Sequence, residues 1–229
     1  MTRPVTDHAS PRPQDQRGLA QGVRPPERWT EGLTTRPPSN ARMRVGILLF
    51  DGVEELDVVG LWEVLRKAKQ LHPTLSLSVT TLATKEEVQC ALGLKVLAHE
   101  VKRDWSDIDL LVVPGGPGCK EIMEDAVMID AIAQFGRSKP VASVCTGALV
   151  LQKAGLLDGR RATTHFLARD ELTEADVVTD RVVVDGPVIT AGGVSASIDL
   201  GLTILEMNFG KALADEVAAR IEYVPPRAG

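Results

Sequence analysis

Apolar and polar residues alternate along the chain in blocks that are typical of a folded α/β protein. Continuous apolar runs, which predict buried strands, lie at residues 45 to 50, 75 to 83, 109 to 116, 140 to 145 and 188 to 190. Helical spacing of apolar residues predicts helices at residues 54 to 71, 121 to 135, 146 to 154, 195 to 209 and 211 to 223. This alternation predicts a mostly parallel sheet with helices on both faces.

Shorter segments predict additions to the sheet. Residues 88 to 98 predict a short hairpin, and residues 160 to 164 with 182 to 184 predict edge strands. No internal repeat is visible in the sequence, so we expect one α/β domain.

The first predicted helix is apolar around much of its circumference. The residues expected to face the core are Leu56, Val59, Val64 and Leu65. Further apolar positions are Val58, Leu61 and Trp62. One sheet buries only one face of a helix, and soluble proteins seldom expose such a surface unless it is an interface. The pattern predicts a homodimer in which this helix pairs with its copy, with Trp62 as the anchor.

Residues 1 to 42 differ in composition from the rest of the chain. They contain seven of the 14 prolines and carry a net charge of +3, which leaves −8 on residues 43 to 229. A segment without a periodic apolar face cannot bury enough surface to offset its ordering entropy, so we predict a disordered tail. A targeting peptide is one alternative, which the prolines and acidic residues oppose. A start at Met43, directly before the first strand, is another.

Composition also limits the class of function. Hydrophobic residues make up 44% of the chain and charged residues 25%, as in ordinary soluble proteins. The acidic domain lacks the clustered Lys and Arg of a nucleic-acid-binding face. No apolar run approaches the roughly 18 residues of a membrane span, and the N-terminus lacks a signal-peptide core. We therefore expect a cytoplasmic protein that binds neither nucleic acid nor membranes.

The three cysteines, Cys90, Cys119 and Cys145, form no CxxC pair. Neither a disulfide framework nor a thiolate metal site is indicated, so a functional cysteine would be a free thiol. Cys145 is the candidate, because it lies between a predicted strand and a predicted helix, the arrangement of a nucleophile elbow. Amide groups and the helix dipole at such a turn favour the thiolate. Local context leaves open that Cys145 is only a small buried residue.

A second turn is expected to face the same crevice. PGGPG follows the strand at residues 109 to 113, and turns at the carboxyl ends of neighbouring strands meet at one edge of the sheet. Gly115 and Gly116 are therefore candidate donors to an oxyanion. Asp57 follows the first strand and lies between Leu56 and Val58, where desolvation would raise its pKa and let it hold a proton.

Four segments together resemble the ThiJ/PfpI superfamily, whose members are relatives of class I glutamine amidotransferases. The resemblance covers residues 43 to 225. It is greatest to bacterial isocyanide hydratases and to the amidotransferase-like sensor domains of AraC-type regulators. The segments are VGILLFDGVEELDVVG, DLLVVPGGPG, SVCTGALVLQKAGLLDGRRATTHF and VITAGGVSASIDLGLTILE.

The resemblance implies a flavodoxin-like fold, a homodimer, and hydration of a small electrophilic isocyanide without a cofactor or a metal. It implies that Cys145 is the nucleophile and that Asp57 is the acid and base beside it. The backbone N–H groups of Thr146 and Gly116 would then line the anion site. Proteases and deglycases of the superfamily commonly place His after the nucleophile, whereas this chain has Thr146 there.

Alternatives remain at two residues and for the function. His165 is a candidate base, although its context favours a structural histidine at the end of a strand. Cys119 is either a second reactive thiol or a small residue that lines the pocket. A non-catalytic ligand or redox sensor is the second functional class. AraC-type regulators add a helix-turn-helix domain of about 100 residues, whereas this chain ends at Gly229.

A protein that begins at Met43 is expected to unfold at the same temperature as the full chain, because residues 1 to 42 offer no apolar face to pack on the domain. Thermal unfolding followed by circular dichroism compares the two. A midpoint lower by several degrees, roughly the effect of 1 kcal/mol, would show that the tail packs on the domain.

Overall fold

The computed structural model of the chain describes residues 42 to 224. The tail predicted to be disordered lies outside these residues, apart from Arg42. The strands, in chain order, are β1 Met43–Leu48, β2 Leu77–Ala83, β3 Glu87–Gln89, β4 Lys95–Leu97, β5 Glu100–Val101, β6 Leu110–Val113, β7 Val141–Val144, β8 Arg161–Ala162, β9 Asp176–Val177, β10 Val182–Asp185 and β11 Val188–Ala191. The helices are α1 Glu55–Leu71, α2 Cys119–Glu124, α3 Ala126–Ser138, α4 Gly147–Lys153, α5 Ala196–Phe209 and α6 Lys211–Arg220, with a 3-10 helix at Phe166–Glu171.

A seven-stranded sheet forms the centre of the domain. Its strand order is β10-β11-β7-β6-β1-β2-β5, and every pairing is parallel except that of the edge strand β10 with β11. All residues of β6, β7 and β11 are buried, which explains why these strands are continuous apolar runs in the sequence.

Helices cover both faces of this sheet. Helices α1, α5 and α6 contact one another on one face, and α2, α3 and α4 contact one another on the other. The result is a three-layer, flavodoxin-like sandwich, so the predicted fold class is confirmed. The predicted hairpin is also present, as the antiparallel pair β3 and β4.

Two predicted elements differ from those observed. The helix predicted at residues 121 to 135 is two helices, because Asp125 leaves the helical conformation and its side chain accepts a hydrogen bond from Met128 N–H at 3.0 Å, capping α3. Of the two predicted edge strands, only the one at residues 182 to 184 is found at the edge of the main sheet, as part of β10. The segment 160 to 164 contains β8, which pairs with β9 in a separate two-stranded sheet.

Helix α1 buries a different face from the one predicted. Leu56 and Val59 were expected in the core but are 39% and 45% exposed. The helix packs closely on α5, where a side chain at Gly201 would come within 2.8 Å of Val64 Cβ. This contact selects a buried face made of Val58, Leu61, Val64, Leu65 and Ala68.

An apolar surface remains exposed beside that contact. It comprises Leu56, Val59, Leu92, Leu94 and Leu97, from α1 and the hairpin of β3 and β4. Trp62 is only partly buried, and its ring stacks on His99 with centroids 4.8 Å apart. The residue predicted as the anchor of an interface is therefore already packed within its own chain, and Val59 and Leu94 of the exposed surface line a cavity together with it.

Candidate active site

The candidate site lies where four strands of the sheet end. Asp57 is in the first turn of α1, after β1; Gly115 and Gly116 follow β6; Cys145 and Thr146 follow β7; and Val194 follows β11. In a parallel sheet these carboxyl ends open into one crevice. The structure thus brings together the residues that the sequence singled out.

Cys145 occupies a strained turn between β7 and α4. Its φ is +56°, a left-handed conformation that non-glycine residues seldom adopt and that costs about 1 to 3 kcal/mol. Backbone hydrogen bonds fix it there, because its N–H donates to the Ala191 and Gly192 carbonyls at 3.1 and 2.9 Å. Its own carbonyl accepts from Thr164 Oγ1 at 2.8 Å. Such strain is typical of a nucleophile elbow and is not needed for a small buried residue.

Glycines allow the neighbouring turns to approach this elbow. A Cβ on Gly115 would lie 2.6 Å from Cys145 Cβ and 2.7 Å from the Thr146 nitrogen. A Cβ on Gly147 would collide with the Val113 carbonyl at the end of β6. Only residues without side chains fit at these two positions, which is why the PGG turn and the CTG turn can pack together.

Asp57 is fully buried beside the elbow. Its Oδ2 accepts a hydrogen bond from Gly115 N–H at 2.7 Å, whereas its buried Oδ1 has no partner among residues 42 to 224. Burial raises the pKa of Asp57 to about 7, with a further rise from the charge of Glu54 and a partial opposing effect of the Gly115 hydrogen bond. Desolvation is thus the main cause of the raised pKa, as the position of Asp57 between Leu56 and Val58 predicts.

The Cys145 thiol has a raised pKa, in contrast to the lowered value expected at a helix N-terminus. Burial raises it to about 11, and the Asp57 charge adds to this rise. Hydrogen bonds from the Thr146 and Val194 amides stabilise the thiolate but only partly offset the desolvation. The negative charges of Asp57 and Cys145 repel each other, so the ionisation of one opposes that of the other. Between pH values of about 7 and about 11, the pair therefore keeps one of its two protons.

The amides near the sulfur are not all those predicted. The Cys145 thiolate is stabilised by hydrogen bonds from Thr146 N–H, one of the two amides predicted to line the anion site, and from Val194 N–H, which was not predicted. Gly115 N–H is bonded to Asp57, and Gly116 N–H donates to Thr146 Oγ1 at 3.0 Å. Anion binding by Gly115 and Gly116 stays a prediction, and it requires these amides to change partners when a ligand binds.

Val194 is the site residue that sequence reasoning missed. Its φ is +43°, which is unusual for a β-branched residue and turns its amide toward the elbow. The available signal was the glycine-rich turn AGGVS after the strand at residues 188 to 190, since this strand neighbours that of Cys145 in the sheet.

The two ambiguous residues lie at the edge of the site. Cys119 is buried and its thiol contacts the Pro114 carbonyl and Thr146 Oγ1, each at 3.6 Å. Burial raises the pKa of Cys119 to about 12. His165 caps the 3-10 helix, because its Nδ1 accepts from Leu167 N–H at 3.3 Å, and its ring packs against Gly193.

The described residues also bear on metal binding and on membrane insertion. Between Arg42 and Val224, no three His, Cys, Asp or Glu side chains lie close enough together to hold a metal ion. Within the same residues, none of the helices combines the length and apolar character needed to cross a membrane.

Comparison with known proteins gives consistent matches. A model of the DJ-1/PfpI family matches residues 43–207. Isonitrile hydratase from Pseudomonas putida is 38% identical over 186 residues, which are 80% of this chain and 79% of that protein. Protein DJ-1 homolog A from Arabidopsis thaliana is 33% identical over 184 residues, 76% of this chain and 45% of that protein. The crystal structure of a ThiJ/PfpI family protein from Pseudomonas syringae has a TM-score of 0.72 and 26% identity, covering 94% of this chain and 86% of that one.

Cys145 is expected to be alkylated about tenfold faster than Cys119 at neutral pH. Burial raises the pKa of both thiols, but to about 11 at Cys145, where two backbone amides stabilise the thiolate, and to about 12 at Cys119. Peptide mass spectrometry after limiting iodoacetamide measures both rates. Equal labelling would contradict the elbow interpretation.

Asp57→Asn is expected to stabilise the fold at about pH 8. The folded-state pKa lies above the ordinary 3.8, so ionisation costs stability, and this cost grows as pH rises from about 4 to about 7. The gain is at most about 4 kcal/mol, at 1.36 kcal/mol per pKa unit. Urea unfolding measures it.

The gain from Asp57→Asn should disappear at about pH 4, where the wild-type carboxyl is neutral in both states. Asp51→Asn is the matched control, since Lys85 and Gln89 lower the pKa of Asp51 and its loss should not stabilise the protein. A destabilised Asp57→Asn protein at about pH 8 would show that the Asp57 charge is favourable in the fold.

Proposed function

The chain belongs to the DJ-1/PfpI family, and from this premise we propose that it is a cofactor-free isocyanide hydratase, which adds water to an isocyanide to give an N-substituted formamide. The observation that carries this proposal is the fully buried Asp57 carboxyl, which accepts a hydrogen bond from Gly115 N–H in the turn that packs directly against Cys145. Hydration of an isocyanide needs a nucleophile for carbon and a proton for that same carbon. The pair supplies both.

The first step forms a covalent bond to the terminal isocyanide carbon. The Asp57 carboxylate takes the proton of the Cys145 thiol as the sulfur attacks, and the resulting carboxylic acid delivers this proton to the carbon. The product is a thioimidate, Cys145–S–CH=N–R. No electrons leave the pair of reactants, so the step requires no redox cofactor. The site is well suited to it, because a buried carboxyl with a pKa of about 7 accepts and releases a proton readily.

The second step consumes water and restores the thiol. The Asp57 carboxylate removes a proton from a water molecule as its oxygen adds to the thioimidate carbon. The C–S bond then breaks with transfer of protons to nitrogen and sulfur, which releases the formamide R–NH–CHO and returns Cys145 to its thiol form. The Thr146 and Val194 amides stabilise the departing thiolate.

A redox sensor is the alternative function of such a cysteine, and one observation weighs against it. A sensor requires a thiolate that is populated at rest, whereas burial and the Asp57 charge raise the pKa of Cys145 to about 11. A hydratase needs the thiolate only while the substrate is bound and a base is at hand.

The proposed activity is tested by release of formamide from a panel of alkyl and aryl isocyanides. The rate kcat/KM is expected to rise with pH through about 7, because only the ionised Asp57 can take the thiol proton. It should fall again as the pair loses its second proton at high pH.

Matched variants separate the roles in this assay. Cys145→Ala and Asp57→Asn should each reduce turnover by about a thousandfold or more, and Cys90→Ala, which removes a buried thiol elsewhere, should not. Formamide production by Asp57→Asn at the wild-type rate would assign proton transfer to another group. Absence of formamide from every isocyanide would contradict the proposed function.

We also infer that the chain acts as a homodimer through the exposed surface of Leu56, Val59, Leu92, Leu94 and Leu97. Two of these side chains, Val59 and Leu94, line a cavity of about 270 Å³ between α1 and the hairpin. Apolar side chains grouped around such a cavity are seldom left exposed to water. A two-fold contact there would bury it and would lie on the helix that carries Asp57.

Val59→Glu is expected to yield monomers in light scattering, because it places a charge within this surface while leaving the buried face of α1 intact. Trp62→Glu should also release monomers, but with loss of stability, since Trp62 packs on His99. Val127→Glu, at another exposed apolar position, is the matched control and should leave the dimer unchanged. A monomeric wild-type protein at micromolar concentration would contradict the interface.

A further inference from the structure

A buried charged cluster lies behind the site and has no part in the chemistry above. Asp199, in the first turn of α5, is 1% exposed. Its Oδ2 accepts a hydrogen bond from Arg181 Nε, and the Tyr223 hydroxyl lies 3.0 and 2.9 Å from Oδ1 and Oδ2. Three distant parts of the sequence therefore meet at one carboxylate.

Arg181 also holds the turn that carries Val194, and it does so at both ends. Its backbone carbonyl accepts a hydrogen bond from Gly192 N–H at 2.9 Å. Its guanidinium Nη2 donates to Ser195 Oγ, also at 2.9 Å. Arg181 directly precedes β10, which pairs with β11, so the residue lies at the same edge of the sheet as Cys145.

The turn between these two contacts is strained. Val194 has a φ of +43°, and a β-branched side chain in this region is a genuine outlier. Such conformations persist only where the surrounding structure fixes them. The turn lies against the elbow, since the Gly192 carbonyl accepts a hydrogen bond from Cys145 N–H at 2.9 Å. In this conformation the Val194 amide stabilises the Cys145 thiolate. The contacts of Arg181 are on either side of this residue.

We propose that Arg181 is a positioning residue, which holds the Val194 amide in its anion-binding orientation and is itself oriented by Asp199 and Tyr223. The proposal rests on Cys145 as the nucleophile of the proposed function. The ion pair of Arg181 and Asp199, which joins α5 to the edge strand of the sheet, would then also have a role in the site. The fork of the guanidinium matters, because Nε binds Asp199 while Nη2 binds Ser195.

The charged groups around Cys145 allow this effect to be isolated. Asp57 from α1 acts on the Cys145 charge, and Cys119 from α2 interacts with both. The side-chain hydrogen bonds of Arg181 go to Asp199 and Ser195, so its replacement leaves these two titratable neighbours of the sulfur in place. A change in the reactivity of the Cys145 thiol would then show that the Val194 amide has changed its orientation.

The test is the rate of Cys145 alkylation by iodoacetamide as a function of pH, measured beside the thermal midpoint. Arg181→Gln is expected to slow alkylation about tenfold near neutral pH, which corresponds to a rise of about one unit in the thiol pKa. Arg160→Gln is the matched control. Arg160 is of similar exposure and pairs with Asp185 on the same edge strand, away from the Val194 turn, so its loss should leave the profile unchanged.

Two further variants separate positioning from stability. Arg181→Lys keeps a positive charge beside Asp199 but lacks the fork, so the midpoint should recover while alkylation stays slow. Tyr223→Phe removes one hydrogen bond from Asp199 and is expected to slow alkylation about twofold to threefold with the fold intact. If Arg181→Gln does not fold, the alkylation rate of Tyr223→Phe tests the positioning role in its place.

A wild-type alkylation profile in Arg181→Lys and Tyr223→Phe would overturn the proposal, whatever happens to the midpoint. Alkylation requires no isocyanide. A failure of this proposal is therefore distinguishable from a failure of the hydratase assay, in which formamide alone is measured.

Discussion

The burial of one carboxyl group against one thiol is the constraint on which the rest of this site depends. Asp57 is fully buried, and among the described residues its carboxyl accepts a single hydrogen bond, from Gly115 N–H. Burial raises the pKa of both groups, and the Asp57 charge raises that of Cys145 further, so one proton stays on the pair between the two ionisations. A proton held beside a nucleophile is what the proposed addition of water to an electrophilic carbon requires.

The fold supports this pair by bringing four strand ends to one crevice. Gly115 lets the turn after β6 touch the elbow after β7 without a side chain between them. The strained backbones of Cys145 and Val194 point a thiol and an amide at each other, and hydrogen bonds from neighbouring strands and turns keep them there. The stable sheet thereby holds the backbone in strained conformations that these residues would not adopt alone.

Much of this could be predicted from the sequence, because buried parallel strands are continuous apolar runs and their turns must meet at one edge. Cys145 and Asp57 were accessible to that reasoning. The direction of the Cys145 pKa shift was not, since the balance of burial against amide hydrogen bonds depends on three-dimensional packing. Val194 was missed because its role comes from a backbone angle, and the buried face of α1 was misjudged because it is set by contact with α5.

The protonation state of Asp57 in the resting protein is the most direct test of the proposed chemistry. Infrared difference spectroscopy follows the stretching band of a protonated carboxyl during a pH titration, and Asp57→Asn identifies the band that belongs to this residue. We predict that the Asp57 band is present in mild acid and disappears with a midpoint near pH 7. A band that disappears near the ordinary pKa of 3.8 would show that Asp57 is ionised without penalty, and it would contradict the shared proton on which the proposed chemistry depends.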